Sequence, residues 1–542
     1  MAWYCQLLHN VEVPSTHVNQ GVEAHSVLWN CDGLWRGDGG ARMRMVERAQ
    51  ARLEERVAPL IGGERDPRDS GETLPVVNPA TEQQVATVVN ADRDHVAAAV
   101  DQAWSAHRAW LAMPPNRRGE LMWRWSELIT EHAPALGAMD TACMGQPLAD
   151  TQREAPGTIG RMRYWAGMTD KIFGHEVPVV PGHLSYVKRD PLGVVGVVTP
   201  WNGPISSFVN RVSAALACGN AVVVKPSELS PLSALRMAEL AGEAGLPPGL
   251  VNVLPGDGRT GAQLIEHPGI NGISFTGSVA TGRRVAAAAG GALKKTVLEL
   301  GGKSPSIVFA DADLDAALRG SIWGVFHNSG QACVAGTRLL VQRSIADDFV
   351  ARLAQRAQRV RVGDPTSAEV HLGPLVSRRH YEIVTGYLQI GRDEGATVAV
   401  GGGRPTEHAE GPGYYVAPTV FTGVASSMRI AQEEIFGPVL SVLTFETEDD
   451  AVALANDVEY GLSAAIWTRD VGRMLRLADA LLAGTIWGNT ARLLHPALPF
   501  GGFRSSGIGN ASGEGAIEGN TRLKRISIRY GSQSTSPGWD DV

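Results

Sequence analysis

The chain has 542 residues, 44% of them hydrophobic and 19% charged, with a formal net charge of −7. Such a length supports about two to four domains with sizeable cores. The acidic balance argues against nucleic acid or an anionic membrane as main partner, and no stretch approaches the roughly 20 continuous apolar residues of a membrane span.

Residues 1–45 read unlike the rest. Trp3, Tyr4, Trp29 and Trp35 are scattered among Gly, Asn and Asp without sustained period. A basic stretch followed by an apolar one, the mark of a secretory leader, is missing. The segment is expected to be a disordered tail or sequence ahead of the true start, with Met43 or Met45 as candidate starts. Residues 47–60 then have helical spacing. Residues 76–81 and 85–89 read as short strands around a turn. Asp92 can cap a helix in which Val96, Val100 and Trp104 repeat at i, i+4 and i+8. A second helix runs through Leu121, Trp125, Leu128 and Ile129.

From residue 193 the pattern becomes regular. Apolar strands at 194–198, 221–224, 251–254 and 273–275 alternate with helices at 204–216, at 232–244, from Gly261 and from Ser278. This predicts an α/β architecture with a parallel, doubly wound sheet covered on both faces. A second alternating region has strands at 305–309, 439–445 and 464–467 and helices at 314–325, 346–359 and 473–482. Residues 184–188 and 523–529 are strand-like but detached from either sheet.

Five cysteines occur: Cys5, Cys31, Cys143, Cys218 and Cys333. They are few, odd in number and scattered, with no C-x-x-C pair and no metal spacing. A disulfide framework and a metal site are not expected, and a reducing cytoplasm fits best. Most free cysteines are inert, small, buried hydrophobes, and Cys218 in an apolar run fits that description. Cys333 does not. It sits in Asn328-Ser329-Gly330-Gln331-Ala332-Cys333, a loop of small and polar residues.

Other groups suited to carbonyl chemistry lie upstream. Asn202 in Thr199-Pro200-Trp201-Asn202 falls just past a strand's C-terminal end, where open α/β sheets bind ligands. Its amide can donate to an oxyanion, or merely stabilise a turn. Glu299 in Leu298-Glu299-Leu300-Gly301-Gly302-Lys303 follows an apolar strand. It can act as a general base with a raised pKa, or be a structural Glu paired with Lys303. Lys225-Pro226-Ser227-Glu228 ends another strand and can hold ribose hydroxyls, or be a solvated charge pair. Phe275-Thr276-Gly277-Ser278 joins strand to helix. Gly277 and Ser278 would let a pyrophosphate approach the helix N-terminus, or Ser278 is an ordinary N-cap. A thiol nucleophile, a carboxylate base and an amide donor are together the parts needed for acyl chemistry.

With Glu433-Glu434-Ile435-Phe436-Gly437-Pro438 and Pro499-Phe500-Gly501-Gly502 added, the chain resembles the aldehyde dehydrogenase superfamily over about residues 58–531. The resemblance implies two Rossmann-like domains plus a small β oligomerisation element. Residues 58–178 and 191–298 would bind the cofactor, 299–505 would form the catalytic domain, and 179–190 with 506–531 would pair across a subunit interface in a homodimer or homotetramer. It implies that Cys333 attacks an aldehyde, that Asn202 holds the oxyanion and that Glu299 activates water to release the acid from a thioester. Trp201, Lys225, Glu228, Gly277, Ser278, Glu434 and Phe436 would bind the cofactor. NAD is expected, with NADP as the alternative, because the Glu228 carboxylate would repel a 2'-phosphate. Relatives that pass the acyl group to coenzyme A usually lack a carboxylate at the position of Glu299, so hydrolysis is favoured. A non-catalytic binding protein would be signalled by loss of Cys333, Asn202 or Glu299, and all three are present.

The chain departs from the family's common pattern where the acyl tunnel is expected. Gly203 stands where many relatives have Phe, and Ser206, Ser207 and Asn210 replace bulky residues. Beyond Asn489 the same tunnel would be lined by Arg492 and Leu494, although Arg492 could equally face solvent. The pattern implies a wide, polar tunnel and a bulky or polar substrate such as a semialdehyde whose carboxylate meets Arg492. Asn510-Ala511 replaces the family's frequent Arg-Glu, which removes a second carboxylate near the thiol.

Overall fold

The computed structural model describes residues 56–531. The predicted N-terminal extension lies outside the described residues, as do Cys5 and Cys31. Two large sheets organise the rest. In the first, eight strands run in the order Gly507–Ile508, Lys295–Glu299, Gly272–Thr276, Val194–Val198, Ala221–Lys225, Val251–Val253, Leu60–Ile61, Glu64–Arg65. The five central strands are parallel, and the additions at both edges are antiparallel. The central strands are buried along nearly their whole length (Val194, Val222, Val223 and Val224 among them), as expected when helices cover both faces.

The second sheet has seven strands in the order Thr397–Val400, Thr419–Thr422, Val439–Phe445, Arg338–Gln342, Pro305–Val308, Ser463–Trp467, Thr485–Gly488. All neighbours are parallel except the first pair. Two separate apolar clusters, one containing Ile307, Leu340 and Ile466 and the other Val308, Leu339 and Val341, occupy its two faces. Alternation along these strands (Ile307 against Val308, Leu340 against Val341) distributes the side chains to opposite sides.

The detached segments form a sheet of their own. His183–Pro191 pairs antiparallel with Thr521–Arg529 along nine residues, and His175–Glu176 adds to its other side. Thr521–Arg529 is thereby an edge strand, with Leu523 and Ile528 exposed. Gly507–Ile508, which the sequence reading grouped with this element, instead pairs with Lys295–Glu299 of the first sheet.

Local chemistry explains most boundaries. Asp92 caps the helix Arg93–Ala112, accepting hydrogen bonds from the N–H groups of Asp94 and His95 at 3.1 Å. The helix expected over 47–60 is not found in its described part, where Arg56–Val57 and Leu60–Ile61 are strands. Pro59 cannot donate within a helix, and Gly62 and Gly63 take positive φ to turn the chain into a hairpin that seats Leu60 in the core. The second helix is longer than its apolar spacing suggested. It spans Pro115–Met144 and runs through Pro134, ending at Gly145 in the left-handed conformation. The helices Leu148–Ala166 and Arg378–Asp393 were not anticipated.

The strand order defines the cleft. The chain leaves Val194–Val198 toward Ala221–Lys225 on one side and later returns to Gly272–Thr276 on the other. The crevice beyond such a reversal is where open sheets bind ligands. Asn202, Lys225, Gly277, Ser278 and Glu299 all follow or end strands of the first sheet. Cys333 and Glu434 instead precede strands of the second, Arg338–Gln342 and Val439–Phe445. One sheet presents its carboxyl ends and the other its amino ends.

Candidate active site

Cys333 lies at the end of a constrained turn. Asn328, Ser329 and Gly330 have φ of 56°, 56° and 73°, three consecutive residues in the left-handed region. Such backbone is costly for Asn and Ser and persists only where neighbours hold it. Here they do. Ser329 Oγ donates to the Gly373 carbonyl at 2.8 Å, and Gln331 Oε1 accepts from the Val376 N–H at 2.9 Å. A Cβ at Gly330 would lie 2.1 Å from the Gly437 carbonyl oxygen, so only glycine fits. Cys333 is half-buried and packs with Val334, Leu462, Trp487 and Phe500.

Asn202 reaches the same loop. Its Nδ2 donates to the Gln331 carbonyl at 2.9 Å, and Asn328 Nδ2 donates to the Asn202 carbonyl at 2.9 Å. One amide N–H of Asn202 is thereby fixed, and the second is available. Burial raises the Cys333 thiol to about 12, reinforced by the Glu434 and Glu299 carboxylates and opposed by Arg492 and the Val334 N–H.

Glu299 is 3% exposed, and neither carboxylate oxygen has a hydrogen-bond partner. Burial raises its pKa to about 8. The alternative pairing with Lys303 is not found. Lys303 is itself fully buried with an unpartnered Nζ, and burial lowers it to about 7, with Arg338 contributing and the Glu434 and Glu433 charges opposing. Glu434 accepts the Gly302 N–H at 3.0 Å and is raised to about 7 by burial.

The sequence reading missed Arg211. It is 8% exposed, donates from Nη2 to Thr276 Oγ1 at 2.8 Å, and leaves Nη1 unpartnered. Burial lowers its pKa, while Glu299 and Cys333 are close enough to oppose that shift. Thr276 is the register partner of Glu299 on the neighbouring strand, so Arg211 places a positive charge beside that carboxylate. A lone Arg following Asn210 on an apolar helix was the available signal. We predict that Arg211→Met lowers turnover at pH 7 about 10-fold and moves the rising limb of the pH–rate profile to more alkaline pH, because losing a neighbouring cation disfavours the carboxylate.

The remaining expected cofactor residues line the same cleft. Lys225 is buried at a strand end, with Nζ 3.4 Å from the Oε2 of Glu228, which is itself partly exposed. Ser278 caps the helix Val279–Gly291 by accepting from the Thr281 N–H at 3.3 Å, and its own side chain is exposed. Gly277 has no room for a side chain, since a Cβ would lie 2.6 Å from the Phe275 ring. Trp201 packs edge-on to Phe436 at 5.4 Å and to His380 at 5.3 Å. His380, also missed from sequence, holds its Nε2 2.8 Å from the Phe436 carbonyl and so fixes Phe436 at a φ of 61°. The helix N-terminus at Ser278, the buried Lys225 beside a partly exposed Glu228, a half-buried carboxylate at Glu434 and an aromatic wall fit a dinucleotide.

Gly203, Ser207 and Asn210 are half-buried along the helix Pro204–Ala217 and its cap. Gly203 lines a small cavity of about 30 Å³ with Ser206, Glu154 and Asp140. Leu494 is 39% exposed. Arg492 does not face solvent fully. It is half-buried, with a φ of 57° and its guanidinium 5.3 Å from the Trp323 ring centroid.

Comparison with known proteins agrees with this fold. The model of the aldehyde dehydrogenase family matches residues 67–526. An aldehyde dehydrogenase from Davidiella tassiana is 40% identical over 483 residues, covering 89% of this chain and 97% of the relative. The NAD+ complex of aldehyde dehydrogenase from Bacillus cereus is 39% identical, with a TM-score of 0.86 over 89% of this chain and 98% of that one. An NAD-dependent aldehyde dehydrogenase from Sinorhizobium meliloti is 38% identical, with a TM-score of 0.87 over 90% and 97%. With such likeness over most of its length, in sequence and in fold alike, the chain belongs to the aldehyde dehydrogenase family.

Proposed function

We propose that the protein oxidises a bulky or polar aldehyde to its carboxylic acid with NAD, through a thioester on Cys333. The observation that carries this reading is the convergence of Cys333, Asn202 and an unpartnered Glu299 carboxylate in one cleft. Cys333 Sγ bonds to the aldehyde carbon, and the thiol proton leaves to solvent. The free N–H of Asn202 and the backbone N–H of Cys333 receive the oxyanion that develops. When bound, NAD supplies the two-electron acceptor for the thiohemiacetal carbon. Glu299 then takes a proton from a water that attacks the thioester, and Cys333 leaves as thiolate. The raised pKa of Glu299 suits a base working just above neutrality.

For the cofactor, Lys225 and Glu228 would hold the adenosine ribose, with Glu228 disfavouring a 2'-phosphate. The N–H groups beyond Gly277 and Ser278 would meet the diphosphate. Glu434 would bind the second ribose, with Trp201 and Phe436 alongside. Residues 58–178 with 191–298 would serve as cofactor domain and 299–505 as catalytic domain. The edge strand Thr521–Arg529, with exposed Leu523 and Ile528, supports association of copies through 179–190 and 506–531. NADH absorbance with a panel of aldehydes tests the activity. We expect NADH and free acid without coenzyme A. Strict dependence on coenzyme A would replace hydrolysis by acyl transfer to the thiol.

A further inference from the structure

Asn202 stands on a short bridge between two rigid elements. The strand Val194–Val198 ends before it, and the helix Pro204–Ala217 begins after it, with Gly203 alone between. Most of the bridge is clamped from outside. The Thr199 N–H donates to the Lys225 carbonyl at 3.1 Å, Ser230 Oγ donates to the Trp201 carbonyl at 3.2 Å, and Asn328 Nδ2 donates to the Asn202 carbonyl at 2.9 Å. Toward the helix the bridge has no clamp of its own. Gly203 is the N-cap residue and has no side chain to accept from the first turn. As a glycine it also has the freest backbone of any residue type. Pro204 has no N–H, so the first donor the helix offers is the Ile205 N–H.

Asp140 takes that donor. Its Oδ2 accepts from the Ile205 N–H at 3.4 Å, across 65 positions of chain. This is the bond an N-cap side chain would otherwise make. Asp140 belongs to the helix Pro115–Met144 and is 4% exposed. A carboxylate so buried is costly unless hydrogen bonds or positive charge compensate it. No salt bridge reaches Asp140 among the described residues. The start of a helix supplies both forms of compensation, a free N–H and the positive end of the macrodipole. Gly203 and Ser206 line one small cavity with Asp140, so the carboxylate lies against the bridge itself.

We propose that Asp140 is a positioning residue that holds the start of the helix Pro204–Ala217 and thereby, across Gly203, keeps the side-chain amide of Asn202 at Cys333. This rests on the reading of Asn202 as oxyanion donor. An amide N–H stabilises a developing oxyanion only when distance and angle are fixed in advance. Slack at Gly203 therefore slows the step that forms the oxyanion, which precedes release of the first NADH.

The test follows the NADH burst after rapid mixing with the aldehyde that the wild type oxidises fastest, beside NAD affinity by calorimetry. Asp140→Ala and Asp140→Asn are compared, each alone and combined with Asn202→Ala. Asp140→Ala is expected to slow the burst about 10- to 100-fold with NAD affinity unchanged. Asp140→Asn keeps an accepting oxygen in place and should stay within about 3-fold of the wild type. In the Asn202→Ala background Asp140→Ala should slow the burst no further, because its effect passes through the missing amide. An unchanged burst in Asp140→Ala, equal slowing in both backgrounds, a parallel loss of NAD affinity, or an Asp140→Asn burst as slow as that of Asp140→Ala overturns the proposal. If Asp140→Ala does not fold, Asp140→Ser, polar but too short to reach Ile205, takes its place with the same expectations. If neither folds, Asp140 serves the whole fold rather than Asn202, and the proposal falls. If the wild type yields no NADH from any aldehyde, the catalytic reading fails separately, and hydrogen exchange over residues 199–207 decides. Faster exchange there in Asp140→Ala than in Asp140→Asn supports the positioning role, and equal exchange overturns it.

Discussion

The Cys333→Ala protein is expected to bind NAD as the wild type does and to produce no NADH from any aldehyde. The loss should be about 10⁴-fold or more, because every later step needs the carbon–sulfur bond. Removing Sγ leaves little strain, since the residue is half-buried and its loop is held by Ser329, Gln331 and Gly330 rather than by the sulfur. Titration of NAD against the variant by calorimetry, beside an NADH assay, checks both halves. Retained turnover would transfer the chemistry elsewhere. The two other described cysteines offer poor substitutes. Cys143 and Cys218 are buried within apolar clusters, whereas Cys333 is half-buried at a loop.

The Glu299→Gln protein should behave differently. It is expected to release about one NADH per active site rapidly and then stall, because forming the thioester does not need the base and hydrolysing it does. Steady-state turnover should fall about 10²- to 10⁴-fold. Gln has the shape of the carboxyl, and both Glu299 oxygens are unpartnered, so the exchange breaks no hydrogen bond. The pH dependence follows from the same group. Only ionised Glu299 accepts a proton, and burial holds its pKa near 8. Wild-type turnover should therefore rise from pH 6 to a plateau above pH 8, and that limb should vanish in the variant. Rapid-mixing NADH absorbance across this range is the measurement. A missing burst would show that Glu299 acts before or during thioester formation.

Much of the fold was legible because its signals are local. Buried parallel strands read as apolar runs, and Val439–Phe445 has the bounds its composition suggests. Asn202 and Glu299 stood out because each follows such a run, where chemistry collects in open sheets. Residues whose meaning comes from distant partners were harder to see. Arg211 is an unremarked cation in a helix until Thr276, Glu299 and Cys333 surround it. His380 lies far along the chain from Trp201, yet the fold sets the two rings 5.3 Å apart. Glu154 belongs to a helix that Pro156 concealed. The hairpin at Leu60 was mistaken for helix because two apolar residues beside Pro59 carry no period of their own.

The contact between Gly330 and Gly437 divides the cleft into regions of unequal freedom. The turn behind the nucleophile is seated directly on the peptide that follows Phe436, with no space for even a methyl group. Neither segment can be rebuilt alone, so variation there is locked. The opposite wall, from Gly203 to Asn210 and around Arg492, carries no such seam. Retooling this scaffold for other aldehydes should therefore draw its substitutions from that wall and leave the seam as a fixed anvil.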